Sequence, residues 1–305
     1  SSCFANLELS NTGTLTFATR VPVTVELTNN LVSEPVNSSN LYLEGSAGID
    51  GGSWPWDISV YENWTLPYDI SIDGDYYFRG SSINDLAGNN LEIGGTLYHS
   101  DGQLKINGGT LNVAGNYLLD AEGGTGFSNG YLKMLDPADT VIVDGDFHID
   151  ANDHLGELTD GELEVKGDFT QESNSPQSYS YRAFHATGDH KVILSGSGDQ
   201  TISLYDPGSG GSSFANLELS NTGTVEFLTL VPVTERIINN LGSQPTMVTN
   251  IYPADTAVID GGSWPWDLGI HEDWTLQYDM TINGDLHIFN GTVFENGYTL
   301  TVSGL

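Results

Sequence analysis

Hydrophobic and polar residues alternate along most of this chain in short runs, and many of the runs close on glycine. Ile72-Asp73-Gly74-Asp75, Leu111-Asn112-Val113-Ala114-Gly115-Asn116 and Val143-Asp144-Gly145-Asp146-Phe147 share this pattern. Leu163-Glu164-Val165-Lys166-Gly167-Asp168-Phe169 and Ile282-Asn283-Gly284-Asp285-Leu286 continue it. Alternation with period two places every second side chain on one face, as in strands with one face buried. Glycine followed by Asp or Asn predicts a bend, because glycine tolerates positive φ and Asx side chains bond their own backbone. No stretch carries an apolar stripe at i, i+3, i+4, i+7, so helices are expected to be nearly absent.

The motif glycines from Gly74 to Gly167 fall roughly 20 to 30 residues apart, within the range of solenoid coils. Strands about every eight residues fit three per coil. The fold class predicted is all-β, a right-handed parallel β-helix (a β-solenoid) of roughly 12 to 14 coils. A row of β-sandwiches also shows regular turn signals. The same Gly-Asp register throughout the chain favours the solenoid, since sandwich domains have no reason to share a subperiod of roughly 24 residues.

A longer repeat overlies the short one. Phe4-Ala5-Asn6-Leu7-Glu8-Leu9 returns as Phe214-Ala215-Asn216-Leu217-Glu218-Leu219, and Asp50-Gly51-Gly52-Ser53-Trp54-Pro55-Trp56-Asp57 returns at 260–267. The offset is about 210 residues, slipping by one near the end, where Leu91-Glu92-Ile93 aligns with Leu300-Thr301-Val302. Residues 1–95 and 211–305 therefore read as two copies of one block, with a different block at 96–210, all in one continuous solenoid.

Composition narrows the function classes. The 41 acidic residues against 8 Lys and Arg give a formal net charge of −33 at pH 7. Such a surface argues against nucleic acid, whose phosphates are held largely by Lys and Arg, and against docking on anionic membranes. No apolar run approaches the ~20 residues of a membrane span, so no membrane insertion is expected. A lone Cys3 excludes an internal disulfide framework. The opening Ser1-Ser2-Cys3, with no Met, reads as a processed or excised start. A soluble, acidic β protein at the cell surface or outside the cell is the expectation.

Gly109-Thr110-Leu111-Asn112-Val113, Gly161-Glu162-Leu163-Glu164-Val165-Lys166-Gly167-Asp168-Phe169 and Gly297-Tyr298-Thr299-Leu300-Thr301-Val302 resemble coils of the repetitive β-solenoid regions of large bacterial secreted and cell-surface proteins. The resemblance covers most of the chain and implies an architecture, with adhesins, stalks and surface fibres as the associated roles.

Catalytic patterns are weak. Gly126-Phe127-Ser128-Asn129-Gly130 matches G-x-S-x-G but lacks the helix that a nucleophile elbow requires. Asp73 with Asp75, and Asp144 with Asp146, are the paired carboxylates that a polysaccharide-degrading β-helix enzyme would use. A Gly-Asp recurring on coil after coil is more simply a turn or a stacked polar ladder. His148, Asp150, Asp153 and His154 form the densest metal candidate, near Asp144, Asp146 and Glu157; the spacing is not that of an EF-hand, so the carboxylates Asp144, Asp146, Asp150 and Asp153 suit at most weak Ca²⁺ binding. No other cofactor is expected.

Trp54, Trp56 and Trp64 recur as Trp264, Trp266 and Trp274. Indole faces stack on sugar rings, which makes these six the glycan-binding candidates; a buried corner beneath Pro55 and Pro265 is the favoured alternative. The leading expectation is a structural protein, not an enzyme, forming an extracellular fibre, sheath or stalk. A carbohydrate-binding adhesin is second and the polysaccharide-degrading enzyme third. Its partners are copies of itself end to end, or tandem repeats of the same chain, because Phe4 to Leu9 and Tyr298 to Val302 read as core strands rather than polar caps. At about 4.8 Å per coil the chain should span roughly 60 Å.

Overall fold

A computed structural model describes residues 3–121, 127–173 and 182–304. It is all-β, with 4% helix, and its parallel strands stack as a β-solenoid of about 14 turns. The helical residues are short 3-10 turns such as Ser38–Asn40 and Asp50–Gly52. Two long sheets of 12 and 11 strands and a shorter one of 4 form the three faces of the stack. The pairing is parallel and steps one coil at a time: Asn90–Ile93 on Thr110–Val113, then Thr140–Val143, then Glu162–Val165, then Lys191–Leu194.

The period-two pattern becomes an inside and an outside. In Thr140–Val143, Val141 and Val143 are fully buried while Thr140 and Ile142 face outward. Register stacks like on like inside: Leu91, Leu111, Val141, Leu163 and Val192 follow one another up one face. On another face Phe147 stacks on Phe169 with ring centroids 5.2 Å apart, and Phe169 meets Phe214 at 5.1 Å. One apolar column therefore runs along the axis, and every coil completes its core only against the coils above and below.

The two copies occupy different faces. Ser53–Trp54 and Ile70–Ile72 belong to the 11-stranded sheet, which ends in Val231–Asn239 and Ile251–Pro253. The first-copy counterparts of that end, Val21–Asn29 and Leu41–Leu43, lie in the 12-stranded sheet. From Ser53–Trp54, register pairing climbs nine coils to Val258–Ile259, and the chain then crosses to the next face before Ser263–Trp264. The long repeat is thus nine coils and one face, so successive copies are turned by about a third of a turn about the axis.

Candidate functional site

The Gly-Asp corners form a ladder. The Asp57 carboxylate accepts the backbone N–H of Asp75 at 2.8 Å, and Asp75 accepts that of Thr96 at 2.7 Å. The Asn116 side-chain oxygen accepts from Asp146 at 2.9 Å, Asp146 from Asp168 at 2.8 Å, and Asp168 from Thr201 at 2.7 Å. In the second copy Asp267 accepts from Asp285 at 2.9 Å. Each acceptor satisfies a donor at the corner one coil on, where the strand ladder is interrupted. The glycines are there for a different reason from the one the sequence predicts. Positive φ falls on other glycines, such as Gly88 and Gly108, whereas Gly145 and Gly167 have ordinary φ. A Cβ on Gly167 would lie 2.5 Å from the carbonyl of Gly145 in the coil beneath, so close approach of two backbones demands glycine.

Replacing Asp168 by Ala is expected to lower stability by about 1–2 kcal/mol, leaving the half-buried Thr201 N–H unpaired. Asp168→Asn should recover most of this, since Asn116 performs the same role within the chain. Urea unfolding midpoints measure both; equal loss in the two variants would show that the acceptor does not matter.

The ladder accounts for Asp75 and Asp146 among the paired carboxylates. Beside Asp146, Asp144 turns to a different partner, ion-pairing with Lys166 at 2.6 Å. The metal candidates are likewise dispersed. Asp153 pairs with Arg182, Asp150 is buried at a separate corner after Phe147–Ile149, and Asp144 and Asp146 lie at the corner before it. These four carboxylates do not form the single cage of six to eight oxygens that Ca²⁺ takes. Ser128 is buried, donates to the carbonyl of His99 at 3.2 Å and is not followed by a helix; Gly126 of the same motif lies outside the described residues.

The structure does bring together a trio that the sequence reading missed. Ligand atoms of Asp267, Asp285 and His287 all lie within 4.8 Å of one another. The first copy keeps the carboxylates as Asp57 and Asp75 but has Tyr77 in place of the imidazole. Asp285 and His287 sit two residues apart on one strand edge, and Asp267, 18 residues earlier, meets them because successive coils stack.

Four of the six tryptophans occupy the buried corner, the favoured alternative to a glycan surface. Trp54, Trp64, Trp264 and Trp274 are buried in the core. Their indole N–H groups donate to backbone carbonyls: Trp54 to Asp57 at 3.1 Å, Trp64 to Ala47 at 2.9 Å, Trp264 to Asp267 at 3.0 Å and Trp274 to Ala257 at 2.8 Å. Trp56 and Trp266 are half-buried and pack edge-on against Trp54 and Trp264, at 5.5 and 5.6 Å between centroids. None of the four buried indoles presents a face to a sugar. Their size fills the coil where the chain turns at Pro55 and Pro265, and their one polar group finds a partner.

A groove of about 590 Å³ gathers Lys191 and Arg236 with Asp160, Glu162, Asp189 and Glu235. Both cations are already engaged, Lys191 with Glu162 at 2.6 Å and Arg236 with Asp260 at 3.3 Å. The groove therefore presents little uncompensated positive charge to an anionic chain.

The two ends of the stack differ most from the interior. Phe4 is 49% exposed, while its copy Phe214 is fully buried beside Lys191–Leu194 and its neighbours. At the other end Ile288 is 55% and Val302 39% exposed, whereas Phe78 and Ile93 at the matching positions are 0% and 2% exposed. The same kind of side chain is core in one copy and surface in the other. Comparison of the chain with family models, with characterised proteins and with solved structures finds no match. The functional reading therefore stands on the solenoid and these surfaces.

Proposed function

We propose that this chain is a structural segment of an extracellular fibre, sheath or stalk, extended by continuation of the solenoid. The observation that carries the reading is the pair of apolar end faces, Phe4–Leu9 at one end and the coil of residues 286–302 at the other, whose copies are buried inside the same molecule. An isolated solenoid closes with polar caps, because an open end exposes strand donors and acceptors together with core side chains. A head-to-tail contact between unlike faces propagates into a filament unless it closes into a ring.

The charge suits such a role. At −33 per chain, neighbouring fibres repel at low salt, and screening or Ca²⁺ brings them together. Electron microscopy of native material is expected to show thin, unbranched fibres that separate at low ionic strength and bundle in millimolar Ca²⁺. Discrete particles with covered ends under both conditions would sink the reading.

A further inference from the structure

The coil at residues 286–302 is built as an interior coil and has nothing above it among the described residues. Its inward positions, Leu286, Ile288, Val293, Leu300 and Val302, correspond to Tyr76, Phe78, Asn84, Leu91 and Ile93, all buried in the first copy. Two of the replacements are coupled. In the first copy Asn84 donates to the Tyr76 hydroxyl at 2.8 Å, a buried polar pair. In the second copy the pair becomes Leu286 and Val293, so both polar partners are lost together. The outermost coil is thereby more apolar than its interior counterpart, the opposite of a cap.

The molecule itself shows what covers this kind of face. In the first copy the next coil is the start of the middle block: Leu97–His99 pairs with Tyr76–Phe78, Gln103–Lys105 with Ile83–Asp85, and Thr110–Val113 with Asn90–Ile93. Tyr98 stacks on Tyr77 with centroids 4.9 Å apart, and His99 stacks on Phe78 at 4.6 Å. The second copy is set to the same register. Gly304 N–H donates to the Gly284 carbonyl at 3.1 Å, just as Gly95 N–H donates to that of Gly74 at 3.0 Å. Among the described residues no coil equivalent to the one that begins with Leu97 lies above it.

The opposite end gives the complementary reading. Phe214–Leu219 rests on Lys191–Leu194, with Val192 against Leu217 and Leu194 against Leu219, whereas among the described residues no strand pairs with the equivalent side of Phe4–Leu9 and Phe4 is exposed. The lower end thus matches the last coil of a middle block, and the upper end matches the first coil of one.

We propose that the face above residues 286–302 is a docking surface for a coil of middle-block sequence, entering at the Leu97 position and supplied by a further repeat. The fibre then alternates the two blocks. Direct stacking of a second copy would set Phe4–Leu9 on residues 286–302, a junction of the outer block with itself that occurs nowhere in the structure. The proposal rests on the reading of the chain as a continuing solenoid and specifies which sequence continues it. Each 210-residue unit would rise by about 45 Å at 4.8 Å per coil and turn by about a third of a turn.

The test compares three extensions of the full chain after Leu305: a second copy of residues 97–150, the same segment started one residue late at Tyr98, and a second copy of residues 4–57. Hydrogen exchange is read at the amides of residues 286–302. The in-register middle-block extension is expected to slow their exchange at least tenfold and to lower binding of an apolar dye. The slipped extension inverts the pleat and should leave exchange as in the parent chain. Equal or greater protection by residues 4–57 would overturn the block order while leaving continuation intact. Failure of all three to protect would overturn the docking face and the continuation reading with it.

Discussion

Between pH 6.5 and 4 the protein is expected to lose stability steeply, by up to about 4 kcal/mol per pH unit, because three core histidines are held neutral. Burial pushes His99 down to about 3, His154 to about 4 and His190 to about 3. The hydrogen bonds match neutral rings. Leu132 N–H donates to His154 Nε2 at 3.1 Å, so Nδ1 carries the proton and donates to the Asn152 carbonyl at 2.8 Å. His99 bonds the Tyr117 hydroxyl at 3.0 Å through Nδ1 and the Gly102 carbonyl at 3.3 Å through Nε2. His190 lies edge-on to Phe184, and neither ring nitrogen has a hydrogen-bond partner among the described residues.

The unfolded chain protonates these rings below about pH 6.5, and the native state only near 3 to 4. In that window the unfolded state binds more protons, so stability falls as pH falls and levels off below the native values. Burial raises Asp57 and Asp120, which works in the opposite direction; solvent screening weakens the effect at half-buried Asp57, and His148 opposes the rise at buried Asp120. A fall in melting temperature on the order of 10 °C between pH 6.5 and 5 follows. His190→Leu should flatten the slope by about a third and add about 1 kcal/mol at neutral pH, by removing an unsatisfied buried polar group. A melting temperature level across this range would refute the assignment.

Gly167→Ala is expected to cost about 3 kcal/mol or more, although it adds one methyl group and demands no unusual φ. The added carbon would sit 2.5 Å from both the carbonyl carbon and oxygen of Gly145, and backbone cannot swing aside as a side-chain tip can. Two coils would have to part, straining the Asp146-to-Asp168 and Asp168-to-Thr201 hydrogen bonds at the same corner. Gly198→Ala is the internal control: its Cβ would meet nothing within 4 Å and its φ is ordinary, so the change should be within about 0.5 kcal/mol of neutral. Denaturant midpoints for the pair decide the matter, and equal effects would show that coil spacing does not dictate glycine at position 167.

The acidic corners were legible in the sequence because Gly-Asp recurs at Asp75, Asp146, Asp168 and Asp285, and no single reacting centre needs a residue on every coil. Less legible was the reason for the glycine. A Gly-Asp pair looks like a turn with positive φ in one dimension, and only the neighbouring coil reveals that a backbone lies where Cβ would be. The tryptophans show the same limit. Their recurrence was visible, but the burial that separates a sugar platform from a core filler depends on the neighbouring coil, such as the Ala47 carbonyl that accepts the Trp64 indole N–H from 17 residues away.

By itself the sequence determined the strand pattern, the coil-length period, the two copies and hence the parallel β-solenoid, because a period-two pleat and a repeat are local properties of a string. The tertiary structure decided everything that depends on which coil lies next to which. It placed equivalent strands on different faces, since the repeat runs one face beyond nine coils. It brought Asp267, Asp285 and His287 together across coils. It buried Phe214 and exposed Phe4, two residues in the same local sequence, because among the described residues only Phe214 has a coil beneath it. Burial in a solenoid is a property of neighbours along the axis, and identical sequences take opposite environments when those neighbours differ.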